Sequence, residues 1–153
     1  MHYVTLVLGH SICKRLKHHL KSEADATLRS NFNIRRYSRI YMHGDGGRNV
    51  DKIIRNDLSV VRKLKPYIIV LLVGENDFNR DDSTSPEEVA YKILGFASIL
   101  QRKYQVKKIV ICALLPLCMA GEGAMANSLD HSYITSYRTR AQQANAILRL
   151  EED

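Results

Sequence analysis

The chain has 153 residues, 45% of them apolar and 25% charged, with three cysteines and a formal net charge of +7. That size supports one domain with a substantial core, and no apolar run approaches the ~20 residues a membrane-spanning helix needs. The odd cysteine count (Cys13, Cys112, Cys118) without a Cys-x-x-Cys pair argues against a disulfide scaffold or a zinc site and for a reducing compartment. The N-terminal apolar run is short and has no basic segment before it, so an intracellular, cytoplasmic address is the expectation. The charge is uneven: residues 1–65 hold 14 Lys/Arg against 5 Asp/Glu, and residues 66–153 hold 9 against 11. A basic half of this kind attracts nucleic acid or is simply a solvated face, and Phe32, Tyr37 and Tyr41 form no stacking motif to decide between them.

In chain order, Val4 to Leu8 is an apolar run ended by Gly9, a buried strand with a sharp exit. Ser11 then stands at a strand's carboxyl end and a helix's amino end, where it is either a helix cap or a nucleophile whose oxyanion the helix amides stabilise. Ile12, Leu16 and Leu20 recur every four residues among basic ones, which predicts an amphipathic helix over about 12–22. Residues 23–33 are polar and loop-like. Residues 34–42 alternate partly and predict a second strand. His43-Gly44-Asp45-Gly46-Gly47 must turn, because its glycines oppose both helix and strand. Val50, Ile53, Ile54, Leu58 and Val61 mark one helix to about Leu64, stopped by Pro66.

Residues 67–73 are the most apolar segment and read as a central parallel strand, followed at once by Gly74-Glu75-Asn76-Asp77. Ser85-Pro86-Glu87-Glu88 is a capping box with proline at the first helical position, opening a helix to about Tyr104. Residues 106–115 predict a fourth strand, residues 117–129 a loop, and residues 131–150 a last helix. Strands alternating with helices imply an α/β fold: a mostly parallel sheet between two helical layers.

All the strand-to-helix exits leave the same carboxyl edge, so Ser11, the Gly46-Gly47 turn and Asn76 converge. Gly9-His10-Ser11-Ile12, Gly46-Gly47 and Gly74-Glu75-Asn76-Asp77 resemble the first three blocks of the SGNH (GDSL-type) hydrolases, a resemblance that extends to Lys65-Pro66 and Asn145-x-x-Leu148. It implies a flavodoxin-like three-layer fold over residues 1–153 and hydrolysis of carboxylic esters without a cofactor. It also implies Ser11 as nucleophile and oxyanion donors from Ser11 itself, Gly47 and Asn76, with Gly46 competing for the role of Gly47.

Two departures from the family pattern stand out. His10 occupies the place of the usual aspartate and, as the neighbour of Ser11 on an extended segment, points away from it. The Asp-x-x-His block that supplies the family's base has no counterpart in the 153 residues. The expectation is therefore a domain truncated before its last strand, inactive or weakly active, with His131 and His43 as poor substitutes for the base. His43 reads as a solvated loop residue. The missing strand would leave a sheet edge open to self-association.

The alternative is a non-catalytic module binding an acylated ligand or nucleic acid, similar to esterase-like domains of non-LTR retrotransposon proteins. A flavin or nucleotide site would want more glycines after the first strand.

Overall fold

The computed structural model describes residues 3–22, 38–78, 83–116 and 131–151. Four strands, β1 (Tyr3–Gly9), β2 (Ser38–Gly44), β3 (Ile68–Leu72) and β4 (Lys108–Ile111), form a parallel sheet in the order β2-β1-β3-β4. Five α-helices connect or follow them: α1 (Ser11–Ser22), α2 (Val50–Asn56), α3 (Leu58–Leu64), α4 (Pro86–Tyr104) and α5 (His131–Leu150). The α/β class, the parallel sheet and the helical layers on its two faces are as expected. The first part of the expected second strand, and the loop over 117–129, lie outside the described residues.

Register explains how the faces divide. Leu6 pairs with Ile69 and Leu8 with Leu71, so these four share one face, and all are fully buried. Val50 and Ile53 of α2, Val61 of α3, and Ile93, Phe96 and Leu100 of α4 close over them in one cluster. Tyr137, Ala141 and Ala144 of α5 belong to the same cluster, packed along α4. Each fully buried leucine or phenylalanine there contributes about 1.5–3 kcal/mol. The opposite face, carrying Val7 and Gly44, is covered by α1, whose Cys13 lies against Gly44.

Two elements differ from the sequence expectation. The helix predicted over residues 50–64 is broken at Asp57, whose φ of −112° and ψ of −6° end α2 and begin α3. The apolar spacing runs through the break unchanged, which is why periodicity alone reads it as one helix. The fourth strand is shorter than its apolar run: among the described residues β4 pairs with β3 alone, and that ladder ends at Leu71 and Ile111. The capping box is present as read: Ser85 Oγ accepts from the Glu88 N–H, and Glu88 accepts from the Ser85 N–H.

Candidate active site

Gly9 ends β1 in a position that admits no side chain, since a Cβ would stand 2.4 Å from the Leu72 carbonyl oxygen. The chain exits through His10, and Ser11 opens α1. As a first-turn residue Ser11 has no intrahelical acceptor for its N–H. Its Oγ accepts from Arg15 Nη2 at 3.5 Å, one turn on.

After β2 the chain passes Asp45, whose Oδ1 accepts from Lys14 Nζ at 2.8 Å and from the Gly46 N–H at 2.9 Å. The lysine, first through this hydrogen bond, holds the Asp45 carboxyl below its ordinary range. The Gly46 amide is thereby engaged. Gly47 follows at φ 65°, a left-handed conformation that favours glycine.

After β3, a single 3-10 turn (Glu75–Asp77) presents Asn76 on the surface. Asn76 Nδ2 donates to the Arg48 carbonyl at 2.9 Å, which ties the β3 exit to the glycine turn. Asp77 is buried behind it and takes the first N–H of α2, from Val50, at 3.1 and 3.3 Å on its two oxygens. Burial raises the Asp77 carboxyl above its usual range, outweighing that hydrogen bond and Lys92 Nζ at 3.6 Å.

A largely buried bridge joins the exits of β1 and β3. His10 is 3% exposed, and its Nε2 lies 2.7 Å from Glu75 Oε2. The Ile12 N–H donates to His10 Nδ1 at 3.4 Å, so the ring is assigned as the Nε2–H tautomer, donating to the carboxylate. Glu75 Oε1 accepts from the Leu115 N–H at 3.0 Å. Burial would raise the Glu75 carboxyl, but the hydrogen bonds from His10 and Leu115 outweigh it and hold the group below its ordinary range. One imidazole and one carboxylate thus fasten the exits of β1, β3 and β4.

His43 is a correction. It is not a solvated loop residue but the penultimate residue of β2, half-buried, with Nε2 3.1 Å from Asp57 Oδ1. Asp57 also accepts from Arg48 Nε at 2.9 Å and Nη2 at 3.4 Å. This buried carboxylate occupies the junction of α2 and α3 and explains the helix break. On the other side of β2, Cys13 Sγ donates to the Val7 and His43 carbonyls, and burial pushes its thiol up to about 11. Such a thiol is an inert core group rather than a nucleophile.

Ser11, Gly47 and Asn76 therefore follow the carboxyl ends of β1, β2 and β3, on the same edge of the parallel sheet. Asn76 reaches the glycine turn directly, and Ser11 follows the histidine that is bound to the neighbour of Asn76. His18 and His19 are exposed on α1. His131 opens α5, and its side chain lies outside the described residues, as does His2. Glu75, Asp57 and Arg48 were missed by the sequence reading. A glutamate one residue before Asn76, opposite a histidine in the aspartate's place, was the available signal for the first of them.

Among the described residues there is no cluster of His, Cys, Asp and Glu that would hold a metal ion. Nor is any helix there long and apolar enough to cross a membrane.

No protein-family model matches the sequence, and no curated protein matches it. Solved structures do match the fold. A GDSL-like lipase from Bacteroides thetaiotaomicron superposes with a TM-score of 0.64 at 18% identity, over 97% of this chain and 62% of its own. A carbohydrate acetylesterase family member from Sinorhizobium meliloti gives 0.64 at 13% identity, over 96% and 76%. An acetyl xylan esterase gives 0.54 at 18% identity, over 93% and 74%. The chain spans less than two thirds of the length of the lipase. Strand order, helical layers and these superpositions agree: the chain has the fold of the SGNH, GDSL-type hydrolases.

Proposed function

We propose that the rim of Ser11, Gly47 and Asn76 is a serine ester-hydrolase site for carboxylic esters. The observation that carries it is the His10–Glu75 bridge at 2.7 Å, which holds the β1 and β3 exits, and with them Ser11 and Asn76, in fixed relation. In this reading the Ser11 hydroxyl attacks the ester carbonyl. The oxyanion is met by the Ser11 N–H, the Gly47 N–H and the second hydrogen of Asn76 Nδ2, the first being held by Arg48. Gly47 is preferred to Gly46 because the Gly46 amide already donates to Asp45. Collapse of the tetrahedral species expels the alcohol and leaves an acyl-serine, which water hydrolyses.

The weak point of this site is its base. His10 has both ring nitrogens engaged, and His43 is held by Asp57. Ser11 has no imidazole partner among the described residues, and serine without a base is a poor nucleophile near neutral pH. Low activity of the 153-residue chain is the expected state, with oxyanion stabilisation leaving a residue of catalysis.

External imidazole tests this by supplying a base. Hydrolysis of p-nitrophenyl acetate by the chain should rise with imidazole concentration above the rate of the Ser11→Ala protein in the same buffer. Equal rates for the two proteins at every imidazole concentration would remove the serine from the mechanism.

A further inference from the structure

A cleft of about 500 Å³ opens beside Asn76, lined by Asn49, Asp77, Ser83, Thr84, Glu88 and Lys92 together with Asn76 itself. We propose that this cleft binds the neutral, hydroxyl-rich portion of an ester, such as a sugar or polyol supplies as its alcohol. The proposal rests on the reading of Ser11, Gly47 and Asn76 as the ester-cleaving rim, with Asn76 common to both.

The lining excludes other ligands by its chemistry. All seven described lining residues are polar or charged, so an alkyl chain against them would strip water from amides, hydroxyls and carboxylates without apolar contact in return. Among the described lining residues the one cation is the Lys92 ammonium, held by Asp51 at 3.1 Å and Asp77 at 3.6 Å. Among the described lining residues the carboxylates of Asp77 and Glu88 outnumber that cation and set a phosphate or carboxylate ligand against net negative charge. A ligand cation would compete with the ammonium already in place.

What remains is a ligand that both donates and accepts hydrogen bonds without charge, and the lining is equipped for one. Asn49 gives its Oδ1 to the Lys52 N–H as the cap of α2, which leaves its NH2 as a donor. Glu88 accepts the Ser85 N–H on Oε2, which leaves Oε1 as an acceptor. The Thr84 hydroxyl offers both roles. The wall is held in advance of binding: Arg140 Nη1 donates to the Thr84 carbonyl at 3.4 Å, and its guanidinium lies 5.0 Å from the centre of the Phe78 ring. Preorganisation of this kind lowers the ordering cost of binding a flexible hydroxylated ligand.

The test is a titration of the 15N-labelled chain with methyl β-D-xylopyranoside, octanoate and inorganic phosphate in separate arms. The xyloside should shift the amide signals of Asn49, Asn76, Thr84 and Glu88, while octanoate and phosphate leave them in place. Thr84→Val removes one hydroxyl, and Asn49→Asp keeps the helix cap while replacing the donor by a carboxylate. Each should weaken xyloside binding by about fivefold, the loss of one neutral hydrogen bond, with the dispersion of the spectrum reporting that the variant is folded. Ser11→Ala should bind the xyloside as the parent does.

Octanoate or phosphate shifting these amides where the xyloside does not, or parent-like xyloside binding by both cleft variants, would overturn the proposal. The two readings fail separately. Xyloside binding without Ser11-dependent esterase activity at any imidazole concentration sinks the serine reading and leaves the cleft as a saccharide site. Ser11-dependent activity with no xyloside shift at the cleft sinks the cleft.

Discussion

Two histidine–carboxylate pairs sit at the same sheet edge and hold different things. His10 and Glu75 lie over the centre of the sheet, where the histidine is almost wholly buried and uses both ring nitrogens. His43 and Asp57 lie at the β2 side, where the imidazole is 32% exposed and the carboxylate has Arg48 as a second partner. The central pair has no understudy among the described residues: remove the ring, and of the described partners from elsewhere in the chain Glu75 keeps only the Leu115 N–H. The peripheral pair is redundant, because Asp57 retains a two-pronged arginine. A hydrogen bond's worth thus depends on what its partner has left when it is gone, more than on its length.

The largest break in that contrast is expected from His10→Ala. It strips a charge-assisted bond from a buried carboxylate and should cost about 2–3 kcal/mol in urea unfolding. It should also abolish any Ser11-dependent hydrolysis. A loss below that of His43→Ala would reverse the ranking of the two pairs.

Glu75→Gln comes next, and its cost should depend on pH. The folded Glu75 carboxyl is held below its ordinary value of 4.5, so its charged form stabilises the fold above that value. That contribution is lost as pH falls through the lower, folded value. The variant should be less stable than the parent by about 1–2 kcal/mol at pH 7, a gap that narrows on acidification below about pH 4.5. Thermal melts of both proteins across pH 3–7 check this, and a gap that widens in acid would mean that Glu75 is not the charged member. Asp77, raised by burial, works in the opposite direction and is common to both proteins, so it cancels in the difference.

The smallest effect belongs to His43→Ala. With Asp57 still held by Arg48, urea unfolding should show a loss of about 1 kcal/mol or less.

How far the sequence could be read follows from the same contrast. Strand exits are local events, an apolar run stopped by glycine, and Gly9, Gly44 and Gly74 stand where the chain leaves β1, β2 and β3. The capping box of α4 is local too. The two histidine pairs are not: His10 and Glu75 are 65 residues apart, and His43 and Asp57 are 14 apart across a turn and a helix. Nothing in periodicity joins them until the strand order is known. The break at Asp57 was hidden for the same reason, because the partners that draw the aspartate inward lie on β2 and in the glycine turn. The fold and its strand exits were legible, while the struts that tie those exits together were not.

Gly9 and Gly44 carry one consequence more. A Cβ on Gly9 would collide with the Leu72 backbone, and one on Gly44 would stand 2.7 Å from the His10 carbonyl oxygen. The ends of the three strands therefore touch main chain to main chain, with only the Cβ atoms of Leu72 and Cys13 beside them. A displacement of the β3 exit is passed to His10, and a displacement of the β2 exit reaches the same residue from the other side. Beneath Ser11 the molecule behaves as a stiff footing, and whatever compliance the rim has must come from the turns above it.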